Sequence, residues 1–226
     1  RSAITYDKTT GQMTGYTEDV TKTESSPAHT VRAGILYNNL GQVTYYQDTI
    51  TYLVNGSTAL KTVVQFGFDG TKNVSPVYDT FGRQTEYYEY KTDSGTGLGV
   101  STLTHRSGIT YDNSTGQQLT YHEVVSTDGQ ATVTTDRKIG DGITASTGYN
   151  SLGQLKFYTD TIKSTATTDV VTVVFSAAFA DSYDPEGRLE HYTENRTELA
   201  GSLVTNTERS AITYDKTTGQ MTGYTE

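Results

Sequence analysis

Tyrosine and carboxylate side chains recur at a fixed spacing in this sequence, and they are its most regular candidates for chemistry. They belong to one motif, Y-[DN]-x(2,3)-G-[QR]-x(3)-Y-x-[DE], which occurs seven times. Its leading tyrosines are Tyr6, Tyr37, Tyr78, Tyr111, Tyr149, Tyr183 and Tyr214, and its glycines are Gly11, Gly41, Gly82, Gly116, Gly153, Gly187 and Gly219. The second tyrosines are Tyr16, Tyr46, Tyr87, Tyr121, Tyr158, Tyr192 and Tyr224, and the acids are Glu18, Asp48, Glu89, Glu123, Asp160, Glu194 and Glu226. The third and sixth copies carry Arg83 and Arg188 after the glycine, where the others have Gln.

The acids at the end of each motif could bind calcium or pair with other side chains. The Asp-x-Asp-x-Asp and Gly-Gly-x-Gly-x-Asp spacings that concentrate oxygen ligands are absent from the sequence. We therefore predict no metal site and no cofactor. We expect these acids to form ladders with motif side chains of the Gln12 or Arg83 type.

The tyrosines could form rows of exposed rings that stack on sugars, or a buried ladder. A buried ladder is favoured because the motif tyrosine recurs in every copy, as a core position would. The solvent exposure of Tyr16, Tyr46 and Tyr87 distinguishes these two interpretations.

Catalysis finds little support in the sequence. The four histidines, His29, His105, His122 and His191, share no metal-ligand spacing and lie in different copies of the motif, so ordinary surface or strand histidines are favoured. Serine is plentiful, but no Gly-x-Ser-x-Gly or comparable nucleophile setting occurs. We predict that the chain is not an enzyme.

The motifs lie within a longer repeat. Residues 1–18, RSAITYDKTTGQMTGYTE, recur unchanged as residues 209–226, so the period is 208 residues (209 − 1). Three versions of the motif follow one another in order, which divides the chain into blocks at residues 1–105 and 106–208, with residues 209–226 beginning the next block. We expect the chain to be a piece of a longer array.

Turn chemistry explains the centre of the motif. An Asp or Asn side chain can bond the local backbone, and a glycine after two or three intervening residues supplies a positive φ angle. The leading tyrosine should therefore close one strand, and the residues after the glycine should open the next. Variation in repeat length falls in segments such as Asn55–Ser57 and Asp93–Gly99, which we predict to be loops.

Each copy is then predicted to be a β-hairpin with a connecting loop. Burial of two tyrosines contributes far less free energy than the ordering of some 30 residues costs, so one hairpin is not stable by itself. Copies must stack, with tyrosine beside tyrosine. We predict an all-β fold in which tandem antiparallel hairpins form a spiralling or stacked, solenoid-like sheet. Its partners would be neighbouring repeats or copies of itself, joined end to end through exposed strand edges.

Composition excludes several classes of function. The formal net charge of −9 and the pI near 4.9, without a run among the 17 basic residues, argue against nucleic-acid binding. The absence of cysteine excludes disulfides and thiol chemistry. No stretch approaches the roughly 18 apolar residues of a membrane-spanning helix.

The Tyr-Asp, Gly-Arg/Gln and Tyr pattern resembles the YD or Rhs repeat family of bacterial toxin shells, wall-associated proteins and teneurin-type receptors. The residues that carry the resemblance are Tyr78-Asp79-Thr80-Phe81-Gly82-Arg83 and Tyr183-Asp184-Pro185-Glu186-Gly187-Arg188. The resemblance implies hairpins paired edge to edge into a long spiralling sheet, with no catalytic residues in the repeats.

The functional hypothesis from sequence is a structural one: an extended rod or filament, extracellular or at the cell surface. The near-perfect long period favours a fibre over a closed shell. Two alternatives remain open, a shell that encloses a toxin and a multivalent adhesin that binds surface glycans.

Overall fold

The computed structural model describes residues 1–20, 28–54, 57–95, 98–198 and 202–226. It is all-β, with 63% strand and 2% helix, as the sequence predicted. Among the described residues, fifteen strands form an antiparallel sheet of hairpins that is not closed. All but one follow their order along the chain across the sheet, and the remaining two-residue strand pairs only with the strand that comes after it. The abundance of β-branched residues and tyrosine, with few good helix formers, accounts for this strand content.

The chain divides into two compact units, residues 1–107 with 124–132 and residues 108–123 with 133–226. The first unit contains β1 Ser2–Tyr6, β2 Met13–Val20, β3 Ala28–Tyr37, β4 Val43–Val54, β5 Ser57–Phe66, β6 Val77–Tyr78 and β7 Gln84–Gly95. The second contains β10 Val133–Ile139, α1 Ala145–Gly148, β11 Phe157–Ser164, β12 Val170–Ser176, β13 Tyr192–Glu198, β14 Leu203–Tyr214 and β15 Met221–Thr225. Strands β8 Leu98–Tyr111 and β9 Gln118–Thr127 contribute residues to both units.

The motif forms the hairpin that was predicted. The leading tyrosine pairs with the residue two positions after the glycine in the six motifs whose register is described. These pairs are Tyr6 with Met13, Tyr37 with Val43, Tyr78 with Gln84, Tyr149 with Leu155, Tyr183 with Leu189 and Tyr214 with Met221. Within each unit, all motif turns therefore lie at the same end of the strands. Connections such as Asp128–Gln130 lie at the opposite end.

The buried side chains lie mainly on the face of the sheet that carries the second tyrosines, which we call the tyrosine face. In the first unit these include Tyr16, Thr62 and Phe66. In the second they include Leu119, Val173 and Phe175, on alternate positions of their strands. Among the described residues no large side chain is less than 2% exposed, so this is a thin core.

The segments in which the repeat spacing varies include both strands and connections. Within the predicted loop at Asp93–Gly99, residues 93–95 belong to β7 and residues 98–99 to β8, so the prediction is wrong for these residues, and residues 96 and 97 lie outside the described part of the chain. Long cross-strand pairing between the two strands satisfies their backbone groups. Asn55 and Gly56 of the other predicted loop lie outside the described residues, and Ser57 begins β5. The one-turn helix α1, which was not predicted, lengthens the approach to Tyr149.

A β-bulge precedes four of the leading tyrosines and was not predicted. Its central residue has positive φ at Ala3 (47°), Gly34 (64°), Gly108 (59°) and Ala211 (51°). The register shifts recorded at three of these positions mark the extra residue. The isoleucine that follows is buried at positions 35, 109 and 212. The bulge therefore places an apolar side chain in the core directly before the motif.

The two bulge glycines and two bulge alanines yield a test of backbone strain. Alanine with positive φ is strained by about 1 kcal/mol or more, whereas glycine is not. A Cβ at Gly108 would meet nothing within 4 Å, so Gly108→Ala should lower the free energy of unfolding by about 1 kcal/mol through the φ angle alone. Ala211→Gly should raise it by about 0.5–1 kcal/mol. Urea titration measures both, and a change of the same sign in the two variants would contradict the assignment.

Candidate functional site

An Asx turn stands at the centre of every motif. In six of the seven motifs the side-chain oxygen Oδ1 accepts two backbone N–H hydrogen bonds at 2.6–3.0 Å. In the remaining motif, which begins at Tyr183, Oδ1 of Asp184 accepts from the Arg188 N–H at 2.7 Å. The residues that accept are Asp7, Asn38, Asp79, Asp112, Asn150, Asp184 and Asp215. Each motif glycine has a φ angle between 69° and 83°. The turn chemistry expected from the sequence is present in all seven copies.

Carboxylates in these turns are stabilised in their charged form. The Thr10 amide holds the pKa of Asp7 below its ordinary value, and the Thr218 amide does the same for Asp215. The hydroxyl of Ser114 is the main cause of the lowered pKa of Asp112. An ionised carboxylate is a stronger acceptor than the protonated acid, so these hydrogen bonds favour the charged form.

Consecutive turns touch one another through glutamine. A Cβ built on Gly41 would lie 3.6 Å from the Gln12 Nε2 atom, and one on Gly82 would lie 3.4 Å from that of Gln42. The distances for Gly153 and Gly187 are 3.1 Å, to the Nε2 atoms of Gln117 and Gln154. The glutamine of one motif thus covers the glycine of the next. Gln12 therefore contacts the turn of the next copy rather than an acid.

The leading tyrosine fastens each copy to the copy before it. The Tyr37 hydroxyl donates to the Met13 carbonyl at 2.8 Å, and the Tyr149 hydroxyl donates to the Gln118 carbonyl at the same distance. The same bond is made by Tyr78 to Val43, Tyr183 to Leu155 and Tyr214 to Leu189. The acceptor is always two residues after the preceding motif glycine. This contact was not predicted from the sequence.

The second tyrosines form a ladder, but not tyrosine beside tyrosine as expected. In the first unit the Arg32 guanidinium lies 3.7 Å from the centroid of the Tyr46 ring and 5.6 Å from that of Tyr16. Phe66 stacks on the other side of Tyr46 at 5.1 Å and contacts Tyr87 at 5.7 Å. One strand without a second tyrosine lies between each pair of strands that carry one. Successive tyrosines are therefore about 10 Å apart, and an Arg or Phe fills the space.

The second unit repeats this order. The Arg137 guanidinium lies 3.9 Å from the Tyr158 centroid and 5.6 Å from that of Tyr121. Phe175 stacks on Tyr158 at 4.9 Å and contacts Tyr192 at 5.4 Å. The two units thus build the same sequence of rings and cations.

The motif acids Asp48 and Asp160 pair with arginines outside the motif, and not with side chains of the Gln12 or Arg83 type as expected. Arg32 Nε and Nη2 donate to the two carboxylate oxygens of Asp48 at 2.7 and 2.6 Å. Arg137 bonds Asp160 in the same two-pronged way, at 2.7 and 2.5 Å. In both pairs the hydrogen bonds to the carboxylate raise the pKa of the guanidinium.

The motif arginines bind within their own turns instead. Arg83 Nε donates to Asp79 at 2.7 Å, and Arg188 Nε donates to Asp184 at 2.6 Å. Donor and acceptor are four positions apart in the sequence, so each of these ion pairs lies within a single turn. Arg83 also lies over the Phe81 ring at 4.7 Å.

The ladder arginines could have been found from a longer motif. Arg1, Arg32, Arg106 and Arg209 each stand five residues before a leading tyrosine, in the pattern R-x-[AG]-I-x-Y. The same pattern contains the positive-φ bulge residue and the isoleucine that follows it. Arg137 lies twelve residues before Tyr149, and α1 lies in the additional segment.

The exposure of three tyrosines separates the buried ladder from a sugar-binding row. Tyr16 is 6% exposed, and Tyr46 and Tyr87 are half-buried. Burial raises the pKa of Tyr46. Arg32 and Phe66 come from the strands on either side of Tyr46 and cover its ring. These observations favour the buried ladder.

The histidines lie on the opposite face of the sheet, each beside an acid. His29 contacts Asp19 at 2.5 Å, His105 contacts Glu86 at 2.8 Å and His122 contacts Asp136 at 2.6 Å. His191 contacts both Asp181 and Glu208 at 2.9 Å and stacks on Phe179. In the described part of the chain no group of three or more His, Asp or Glu is arranged to hold a metal ion.

An open groove of about 440 Å³ beside the fifth motif is lined by residues that include Thr115, Gln117, Tyr149 and Leu152, without a titratable group other than the tyrosine. Among the described residues, no helix has the length and apolar character needed to cross a bilayer. No protein-family model, curated protein or solved structure matches the chain.

Loss of a ladder carboxylate that is paired with arginine should lower the free energy of unfolding far more than loss of an exposed carboxylate. Asp160→Asn would leave the Arg137 charge between tyrosine rings with one good acceptor, and we expect the free energy of unfolding to fall by about 2–4 kcal/mol. The matched control is Asp136→Asn, beside exposed His122, which should cost less than about 0.5 kcal/mol. Urea unfolding followed by circular dichroism measures both, and equal losses would argue against the ladder.

Because His191 is hydrogen-bonded to two acids, its contribution to the stability of the fold depends on pH. Hydrogen bonds to Asp181 and Glu208 raise the pKa of His191 above its ordinary value. Protonated His191 therefore stabilises the fold fully below pH about 6.5, and this contribution is lost as pH rises through the folded-state pKa. Between pH 6 and pH 9 the urea midpoint should fall more for the wild type than for His191→Gln. A wild-type midpoint that stays level or rises, or a parallel fall in the variant, would refute this role.

Proposed function

We propose that this chain is a structural tandem-repeat protein whose copies build an extended rod or filament. The observation that carries the proposal is the recurring junction between motifs. In each described junction a tyrosine hydroxyl reaches back to the preceding hairpin, at Tyr37, Tyr78, Tyr149, Tyr183 and Tyr214. A further copy could be added through the same bond without any new kind of contact.

The Arg and aromatic ladder supports the same conclusion. Its members stack in the direction that crosses the strands, so it continues wherever another strand is added. Arg209 lies 4.7 Å from the Tyr224 ring at the last motif, as Arg1 lies 4.5 Å from the Tyr16 ring at the first. The ladder thus has the same contents at residues 1–18 and at residues 209–226.

We further propose that the sheet spirals or stacks along one axis. Antiparallel strands twist with a fixed hand, and a long meander accumulates that twist from strand to strand. Buried residues concentrated on one face also favour a sheet that curls around that face. The bulges before Tyr6, Tyr37 and Tyr214 add local twist at regular intervals.

The resemblance to YD or Rhs repeats and the extracellular or cell-surface location belong to this proposal. The motif residues Tyr78, Asp79, Gly82 and Arg83, which carry the resemblance, form one turn with an internal ion pair. We propose neighbouring repeats or further copies of the chain as its partners. We propose no catalytic role, because the arginines and acids of the ladder are held in paired, structural contacts.

The two alternatives receive less support. An adhesin needs tyrosine faces that are open to sugar rings, and Tyr46 and Tyr158 each have an arginine on one side and a phenylalanine on the other. A closed toxin shell needs a sheet that can return on itself, whereas the 208-residue period favours continued growth.

Concatenation tests the proposal. Residues 1–208 are joined in front of residues 1–226, which preserves the natural spacing of the repeat, and a chain with three periods is made in the same way. A rod predicts that the maximum dimension in small-angle X-ray scattering rises in equal steps with each period, and that the unfolding midpoint rises as neighbour contacts are added.

A dimension that stays constant as periods are added would indicate a closed shell and would contradict the rod. The control is a concatemer with a flexible Gly-Ser linker at the joint, which keeps the mass but not the junction. Its midpoint should match that of the single period.

A further inference from the structure

Two hairpins lie at equivalent places in successive copies of the three-motif block. In one of them β7 pairs with β8, and in the other β13 pairs with β14. The second tyrosine lies opposite an arginine in both, as Tyr87 opposite Arg106 and Tyr192 opposite Arg209. This common register matches the positions of the β7–β8 hairpin to those of the β13–β14 hairpin.

The tyrosine face is nearly the same in the two hairpins. Beyond the Tyr–Arg pair, each carries in order a glutamate opposite a threonine, a basic residue opposite a threonine, and an acid opposite an aliphatic residue. These pairs are Glu89–Thr104, Lys91–Thr102 and Asp93–Val100 in the first hairpin, and Glu194–Thr207, Arg196–Thr205 and Glu198–Leu203 in the second. On this face β7 could therefore pair with β14, or β13 with β8, and keep every kind of contact. We call this arrangement the exchanged pairing.

The opposite face carries a charge pair whose polarity is reversed between the hairpins. Glu86 directly precedes the second tyrosine of β7 and contacts His105 of β8 at 2.8 Å. At the equivalent positions, His191 contacts Glu208 of β14 at 2.9 Å. The acid and the histidine have thus changed places. In the exchanged pairing Glu86 would lie beside Glu208, where two like charges oppose pairing of the strands.

A second pair on the opposite face also differs in kind. Tyr90 lies opposite Leu103 in the β7–β8 hairpin, whereas Asn195 lies opposite Asn206 in the β13–β14 hairpin. Each pair matches apolar with apolar or amide with amide. The exchanged pairing would set Tyr90 opposite Asn206 and Leu103 opposite Asn195, so both favourable matches would be lost.

We propose that the opposite face of these hairpins determines which strands pair. Tandem units of similar sequence are prone to misassembly and domain swapping, and a tyrosine face common to both hairpins offers no protection. The reversed charge pair and the contrast between apolar and amide pairs exclude the exchanged pairing. This inference deepens the proposed structural function, because a regular rod requires each strand to find its own neighbour among near-copies.

The other two histidines follow the same order. Asp19 on β2 contacts His29 on β3, and His122 on β9 contacts Asp136 on β10. The acid again comes first in the first unit and the histidine comes first in the second unit. These two pairs stand at different distances from the second tyrosine, so pairing of β2 with β10 would break both of them.

Cysteine crosslinking reports the pairing, since the chain contains no cysteine. Thr92 lies opposite Ser101, and the equivalent of Ser101 in β14 is Val204. Thr92→Cys with Ser101→Cys reports the correct pairing, and Thr92→Cys with Val204→Cys reports the exchanged pairing. Each full chain is refolded from urea at low concentration at about pH 6, near the ordinary pKa of histidine. A short thiol-to-thiol reagent is then added, and mass spectrometry quantifies the crosslinked peptides.

Reversal of one charge pair tests the proposal. Glu86→His with His105→Glu gives both hairpins the same polarity, so the exchanged crosslink should rise about threefold or more. No increase would overturn the proposal. Adding His191→Glu and Glu208→His, with Asp181→Asn to remove the other acid at position 191, makes the polarities differ again. The exchanged crosslink should then return to its starting level, and a crosslink that stays high would count against the charge pattern.

A control separates polarity from stability. The reversal also removes the stack of His105 on Tyr88, whose ring centroids lie 4.0 Å apart. Tyr88→Thr, which introduces the residue found at the equivalent position 193, removes the same stack and leaves the polarity unchanged. It should leave the exchanged crosslink unchanged. An increase equal to that of the reversal would mean that loss of stability alone causes exchange, and would overturn the proposal.

The unaltered reporter chains give a further outcome. An exchanged crosslink as frequent as the correct one would show that the opposite face does not discriminate, which would also overturn the proposal. The lengths of concatenated periods test the rod separately. The rod therefore stands if its concatemers lengthen regularly, whichever pairing the crosslinks report.

Discussion

The interaction on which the rest of this structure depends is the arginine held between tyrosine rings and fixed by a carboxylate. A single sheet without a fully buried large side chain among its described residues has little core to hold its strands in register. Arg32 and Arg137 each touch two rings and make two hydrogen bonds to an acid. Cation and ring contacts contribute about 0.5–2 kcal/mol each, and the two-pronged bond fixes the register.

Phenylalanine takes the same position where no arginine is present. Phe66 lies between Tyr46 and Tyr87, and Phe175 lies between Tyr158 and Tyr192. Both keep the stacking distance, but they carry no charge to pair. In each unit the ladder therefore contains both a charged and an apolar rung, and Tyr46 and Tyr158 each lie between one of each kind. This explains how a chain that is only 33% hydrophobic stabilises so many strands.

Local chemistry was predictable from the sequence, and contacts between strands were not. The Asx turn and its glycine involve residues within a few positions, so Asp7 and Gly11 could be assigned from type and spacing alone. The partner of Asp48 lies on another strand, and its identity depends on a register that is set by a bulge at Gly34. A one-residue shift reverses the face of every side chain, so the expected partner was wrong. The R-x-[AG]-I-x-Y pattern contains both the ladder arginine and the bulge residue with positive φ.

Within each unit, the motif turns lie at one end of the strands, where the geometry is fixed by contacts between copies, and the opposite end has no such constraint. Lengthening a motif turn such as Asn38–Gly41 would disturb the bond from the Tyr37 hydroxyl to the preceding hairpin. Connections at the opposite end, such as Asp128–Gln130, are not involved in those bonds. Foreign peptides could therefore be grafted at that end in many parallel copies, with a spacing set by the scaffold itself.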